Sequence, residues 1–166
     1  MLHDQIPRET LFRVSALPYS SRRAEQREDE CMTSLLTEID HVAIAVHDLE
    51  AAIAYYRDVY GAEVDHREVV ESDGVEEALL KVADSYVQLL TPTRPDSPVA
   101  KYLEKRGEGI HHIGYRVADC SVALESVKAA GGKVLDEHPR PGSRGTTVAF
   151  IHPKTTFGTL VELVQE

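Results

Sequence analysis

Two histidines, a glutamine and a glutamate interrupt apolar runs of this chain, and they do so in step with an internal repeat. The stretch Gly109-Ile110-His111-His112-Ile113-Gly114-Tyr115-Arg116-Val117 echoes Glu38-Ile39-Asp40-His41-Val42-Ala43-Ile44-Ala45-Val46 at a constant offset of 71. His41 falls on His112 and Val46 on Val117, and the match continues through Asp48 on Asp119, Gly61 on Gly132 and Gly74 on Gly145. The offset then grows to 74, which lays Tyr86–Leu90 on Leu160–Val164 and makes Gln88 the counterpart of Glu162. In strand alternation His41 lies opposite Val42 and Ile44, Gln88 opposite Val87 and Leu89, and Glu162 opposite Val161 and Leu163. If each repeat curls into half a barrel, His41, Gln88, His112 and Glu162 face one concavity. Two imidazoles, an amide oxygen and a carboxylate form a mixed N/O set suited to a divalent transition ion. Four such donors on an octahedral ion leave two positions for a chelating substrate. A single strand histidine is ordinarily satisfied by backbone or water. The recurrence at equivalent positions is what favours a metal site.

The elements that must position these groups can be read in order. Ile39–Val46 alternates as a strand. Asp48 is a natural N-cap for a helix with Leu49, Ala52, Ile53 and Tyr56 at helical spacing, and Gly61 closes it. Strands are expected at Ala62–Val70, Val75–Val82 and Tyr86–Leu90, with a turn at 71–74. Pro92, Pro95 and Pro98 mark a connector, in which Ser97-Pro98 opens a short helix over Val99–Lys105. The second copy repeats the order. It has a strand at Ile110–Val117, an Asp119-capped helix through Cys120, Ala123, Leu124 and Val127, a strand at Lys133–Glu137 and a loop over Pro139–Gly145. Its last strands are Thr146–His152 and Thr159–Val164. The expected class is α+β: two repeated β-α-β-β-β modules at 38–90 and 110–165, joined by a connector at 91–109, forming a half-open barrel. Strict alternation turns His111 away from His112, and His47, His66 and His138 read as surface or loop residues.

Composition narrows the function classes. With 18 Lys and Arg against 28 Asp and Glu the formal charge is -10, and no basic block offsets it, so no nucleic-acid partner is expected. Cys31 and Cys120 make no disulfide framework and fit a reducing cytoplasm. No apolar run approaches the roughly 20 residues that span a bilayer, so no membrane partner is expected. Residues 1–33 read as a flexible tail, since 20–30 are almost wholly polar. The tail has no secretory h-region and is too acidic for a transit peptide. Met32 lies just before the first strand, so the tail is expected to reflect an upstream start-codon assignment. Residues 34–166 then form one domain.

The chain resembles the vicinal oxygen chelate superfamily and, more closely, the methylmalonyl-CoA epimerase family. Besides the four polar positions, the resemblance rests on Gly74-Val75-Glu76-Glu77-Ala78-Leu79-Leu80, Ser97-Pro98-Val99-Ala100-Lys101-Tyr102-Leu103, Gly107-Glu108-Gly109-Ile110-His111-His112 and Phe150-Ile151-His152-Pro153-Lys154. It covers about residues 34–166. It implies His41, Gln88, His112 and Glu162 as ligands of one divalent ion, Co²⁺ being favoured and Mn²⁺, Zn²⁺ or Ni²⁺ open. It places the catalytic glutamate on Glu77. It implies an acyl-CoA substrate and a homodimer.

The implied chemistry inverts the carbon between a thioester and a carboxylate. A base removes the C2 proton, the metal stabilises the enolate, and an acid returns a proton to the other face. Glu77 lies in an apolar strand and its repeat counterpart is Val148, so the carboxylate occurs in one half only. The second acid or base is Glu162 or a water. Arg140, Ser143, Arg144 and Lys154 cluster in the second module as contacts for phosphate or carboxylate groups, while Lys101 and Lys105 read as surface residues. Two competing readings remain on the same scaffold: a glyoxalase I-type isomerase, and a metal-free protein that sequesters a small molecule.

Overall fold

Side-chain caps define the three helices. Asp48 accepts from the Ala51 N–H at 2.9 Å to start α1 (Leu49–Tyr60), and Gly61, at φ 66, ends it in the left-handed conformation that favours glycine. Ser97 accepts from the Ala100 N–H at 3.0 Å to start α2 (Pro98–Arg106). Pro98 stands where the helix leaves a backbone donor unused anyway. Asp119 accepts from the Val122 N–H at 2.9 Å to start α3 (Cys120–Ala129). These helices belong to a computed structural model that describes residues 34–166, so the expected tail at 1–33 lies outside the described residues.

Eight strands form one mixed sheet: β1 (Glu38–Ala45), β2 (Val64–Val70), β3 (Val75–Val82), β4 (Ser85–Pro92), β5 (Gly109–Arg116), β6 (Arg140–Pro141), β7 (Thr147–Ile151) and β8 (Leu160–Gln165). Their order is β2-β3-β4-β1-β5-β8-β7-β6. Each half reads outwards from the centre in the same way. β1 pairs parallel with β4 as β5 does with β8, and antiparallel neighbours follow on both sides. The halves meet where β1 runs antiparallel to β5. This is the expected curled sheet of two β-α-β-β-β repeats.

Burial follows the same division. In the first half Val46, Leu49, Ala78, Leu80 and Leu89 form a core cluster with Ile53 and Tyr56 of α1. In the second, Cys120, Ala123 and Leu124 of α3 pack on Ala149, Ile151 and Leu163. The other face of β1 carries Ala43 and Ala45, whose small side chains admit Val99 and Leu103 of α2 beside Val75 and Leu90. The connector helix thus closes one end of the concave face, and it is pinned there by its apolar residues.

The second half departs from expectation in one place. Lys133–Glu137 is not a strand; only Val134 bridges to Ile151. The Asp136 carboxylate accepts the Phe150 N–H at 2.8 Å, so a side chain occupies the ladder position that a backbone carbonyl would otherwise fill. The edge strand instead comes from the expected loop, at Arg140–Pro141, and a 3₁₀ turn follows at Ser143–Gly145.

Ser97 is fully buried while capping α2. Ser97→Ala is expected to lower unfolding stability in urea by about 1–2 kcal/mol; unchanged stability would remove the cap from the account of how α2 is held.

Candidate functional site

Two bulges at the central seam decide which side chains reach the concave face. Along β1 and β5 the register runs Ile39↔Tyr115, His41↔Gly114, Ala43↔His112, Ile44↔Ile110. Asp40 is therefore an extra residue on β1 and His111 an extra residue on β5. They are repeat counterparts, and the second bulge restores the register that the first one shifts. Each sits immediately before a histidine that lines the cavity and reaches that histidine's Nδ1. Asp40 Oδ1 lies 2.7 Å from His41 Nδ1, and His111 Nδ1 lies 2.8 Å from His112 Nδ1. The Nε2 atoms of His41 and His112 then point at one another across the seam, 3.0 Å apart.

Glu162 completes the triangle. It lies opposite Gly114 in the β5–β8 ladder, as Gln88 lies opposite Ala43 in the β1–β4 ladder. Glu162 Oε2 is 2.9 Å from His41 Nε2 and 3.1 Å from His112 Nε2. Three edges near this length are what cis donors about 2.1 Å from a shared centre present. Gln88 lines the same cavity, and its Oε1 is buried without a hydrogen-bond partner. A buried carbonyl oxygen with no donor is costly unless something else satisfies it. His41, His112 and Glu162 therefore fit a divalent ion on geometry, and Gln88, in the wall of the same cavity, fits it on the chemistry of its unpartnered oxygen.

The electrostatics suit that role. Burial opposes a charge on His41, but Asp40 and Glu162 outweigh it and push its pKa up to about 9. His112 is lowered by burial. His111 is lowered to about 4 by burial and by His112, so it is neutral near pH 7. A neutral His111 can accept the Nδ1–H of His112, which leaves the His112 Nε2 lone pair facing the site. Burial works against Glu162, yet the two imidazoles hold its carboxyl well below the usual range. Asp40 is fully buried. Burial works against its charge too, but His41, Arg144 and Arg116 keep it down to about 2. Arg116 Nε and Arg144 Nη2 donate to its two oxygens at 2.9 and 2.8 Å.

A cavity of about 340 Å³ encloses this cluster. Glu77 lies in its wall, 2% exposed. Gln88 Nε2 donates to Glu77 Oε2 at 2.6 Å, while Oε1 has no partner. One carboxylate oxygen is anchored and the other is free. Burial raises the Glu77 pKa, with Glu68 adding to it, and this outweighs the neighbouring Ser143 and Gln88 side chains. Arg140, Ser143 and Arg144 line the cavity as well. Arg140 pairs with Asp73 and Arg144 with Asp40, but Arg140 Nη1 and Arg144 Nε are buried donors without partners. Apolar walls come from Val70, Leu90, Leu135 and Phe150.

Most residues singled out in the sequence come together here. Lys154 does not: it is exposed and does not line this cavity. His111 corrects the alternation argument, because the bulge turns it into the cavity wall. His66 is half-buried on β2, with Nε2 2.9 Å from Glu68 Oε2, rather than a loop residue. Strand alternation alone does not single out Asp40. The one signal for it in the sequence is an acid immediately before a histidine in an otherwise apolar strand.

Comparison with known proteins gives a consistent picture. The family model of the Glyoxalase/Bleomycin resistance protein/Dioxygenase superfamily matches residues 40–150. An ethylmalonyl-CoA/methylmalonyl-CoA epimerase of Cereibacter sphaeroides is 43% identical over 133 residues, which cover 79% of this chain and 99% of that one. The crystal structure of methylmalonyl-CoA epimerase from Mycobacterium tuberculosis matches with a TM-score of 0.77 at 40% identity, covering 80% of this chain and 90% of that one. A structure of methylmalonyl-CoA epimerase in complex with methylmalonyl-CoA and NH4+ matches with a TM-score of 0.77 at 49% identity, covering 79% and 95%.

Two outcomes follow from the geometry. His41 holds a proton at neutral pH in the metal-free protein, so binding a divalent ion near pH 7.5 is expected to release about one proton per site. Calorimetry in buffers of different ionisation enthalpy measures it, and no release would contradict His41 as a ligand. A Cβ at position 114 would lie 2.6 Å from His41 Nδ1 and 2.8 Å from Nε2. Gly114→Ala is therefore expected to tilt that ring and weaken divalent-ion binding by about 10–100-fold with the fold retained by circular dichroism; wild-type affinity would show that His41 orientation is immaterial.

Proposed function

The chain belongs to the methylmalonyl-CoA epimerase family of the glyoxalase/bleomycin resistance protein/dioxygenase superfamily, and from that membership we propose that it interconverts (2R)- and (2S)-methylmalonyl-CoA by proton transfer at C2. The observation that supports the reading best is Glu77. It is a buried carboxylate with one oxygen anchored and one unpartnered, in the same cavity as the three converging donors.

A divalent ion held by His41, Gln88, His112 and Glu162 would supply Lewis-acid stabilisation of negative charge on the thioester oxygen. Co²⁺, Mn²⁺, Zn²⁺ and Ni²⁺ all suit this ligand set. Glu77 takes the C2 proton on its free oxygen, Oε1. Its raised pKa brings its basicity towards that of the working pH, which is where a group that must both take and hold a proton is most effective. The Gln88 amide keeps Oε2 fixed, so that Oε1 meets the substrate in one orientation. The free N–H groups of Arg140 and Arg144 suit the substrate carboxylate, and bind it without a desolvation cost left uncompensated. The apolar walls exclude water from the carbanionic centre. Inversion needs a proton donor on the opposite face; Glu162 is held ionised by the two imidazoles, so of the two expected candidates a single bound water is the donor proposed. The Gln88 amide on the ligand set favours this reading over the glyoxalase I type, which tends to carry a carboxylate at that position.

Glu77→Gln keeps the volume and the hydrogen-bonding edge but cannot accept the proton. It is expected to retain one divalent ion per chain by elemental analysis and to lose about 10²–10⁴-fold in kcat for epimerisation. A variant with wild-type turnover would remove Glu77 from the reaction.

A further inference from the structure

Glu77 is not the last polar group on its side of the sheet. In the β2–β3 ladder it lies directly opposite Glu68, and one oxygen of each carboxylate and one nitrogen of His66 lie within 4.8 Å of one another. Glu68 Oε2 is 2.9 Å from His66 Nε2. Like charges directly opposite one another across two strands cost stability, so the fold alone does not account for this pairing. On the outer face the neighbouring Glu76 is neutralised by Arg67 at 2.7 Å. Among the described residues no Lys or Arg forms an ion pair with Glu68 or Glu77. The repeat offset of 71 puts Pro139 and Val148 at the places of Glu68 and Glu77, so both carboxylates occur in one half only, and together.

The position of the pair matters for turnover. Glu77 is 2% exposed and lines the reaction cavity. Glu68 and His66 do not line it; they stand behind Glu77 on β2, the edge strand of the sheet, and their side chains are a third exposed. A substrate that fills the cavity closes the direct way from Glu77 to water but leaves Glu68 uncovered. When the configuration at C2 is inverted, the proton that Glu77 takes is not the one returned, so Glu77 must lose a proton in every turnover. We propose that Glu68 is the outlet for that proton, with His66 holding its carboxylate in place; this rests on the reading of Glu77 as the base of an epimerase. The C2–H bond breaks, its electron pair stays on the substrate as the enolate, and its proton goes to Glu77. The proton then passes from Glu77 to a Glu68 oxygen, directly or over one bridging water, which restores the Glu77 carboxylate. Glu68 gives it up to solvent at the sheet edge. His66, donating from Nε2, fixes Glu68 Oε2 and leaves the other oxygen for the transfer.

Deuterium at C2 reports the outlet. The metal-loaded full chain is given each epimer of methylmalonyl-CoA separately in D₂O, and at early times deuterium is measured both in the product and in the unreacted starting epimer. Deuterium in the starting epimer means that the proton on the base was replaced before it returned. In Glu68→Gln the ratio of this exchange to inversion is expected to fall by about tenfold or more, and in one direction only, that in which Glu77 takes the proton. His66→Asn should lower the same ratio in the same direction, and added formate should restore it in Glu68→Ala. A merely structural role for Glu68 would slow exchange and inversion alike in both directions and would give no response to formate. A ratio unchanged in Glu68→Gln, or changed equally in the two directions, would overturn the outlet and leave the epimerase reading standing. A wild-type protein that neither exchanges the C2 hydrogen nor forms the other epimer would overturn both.

Discussion

The antiparallel pairing of β1 with β5 is the constraint on which the rest depends. In a regular ladder, neighbours in sequence face opposite sides, and a histidine and the group that orients it cannot both turn inwards. One extra residue on each strand, Asp40 and then His111, lifts that restriction and cancels in the register. The result is a pair of imidazoles facing each other across the seam at 3.0 Å, each held from behind through Nδ1. The repeat supplies this arrangement twice but fills it differently, with a carboxylate behind His41 and an imidazole behind His112. Gly114 and Ala43, at equivalent positions, leave room for it: beside Gly114 there is no space for a side chain next to the His41 ring.

Burying this many ionisable groups carries a desolvation cost of several kcal/mol per ion unless each is paired. The structure answers with an alternating chain of charges: Arg116 and Arg144 on Asp40, Asp40 on His41, His41 on Glu162. The pH dependence of the metal-free protein follows from the directions of the shifts. His41 is raised from 6.5 to about 9, so its contribution to stability is full below 6.5 and is lost as pH rises through about 9. Asp40 is lowered from 3.8 to about 2, so its contribution is present above 3.8 and is lost as pH falls through about 2. Between those limits both contribute. A divalent ion held by these residues would take the place of the His41 proton as the positive partner of Glu162.

Much of this was legible in the sequence because the repeat made it so. His41 with His112 and Gln88 with Glu162 could be paired from two offsets, and Asp48, Ser97 and Asp119 announced the helices they cap. The bulges were not legible. A bulge depends on the register between two strands, and neither Asp40 nor His111 has a local signature that distinguishes it from an ordinary strand residue. That is why alternation alone puts His111 on the wrong face. The edge of the second half was missed for a related reason: the strand-like pattern at 133–137 gives no sign that the Asp136 side chain takes the ladder position on β7. The two-residue strand at Arg140–Pro141 is too short to show a period. Lys101 and Lys105 read as ordinary surface lysines.

The central claim is that one cavity holds both a divalent ion and a base able to take the C2 proton of an acyl-CoA. Proton NMR of (2R)-methylmalonyl-CoA in D₂O with the metal-loaded protein tests it most directly. Loss of the C2 hydrogen signal together with appearance of the 2S epimer is the expected result. A protein that holds one divalent ion per chain and leaves the C2 hydrogen in place would contradict it.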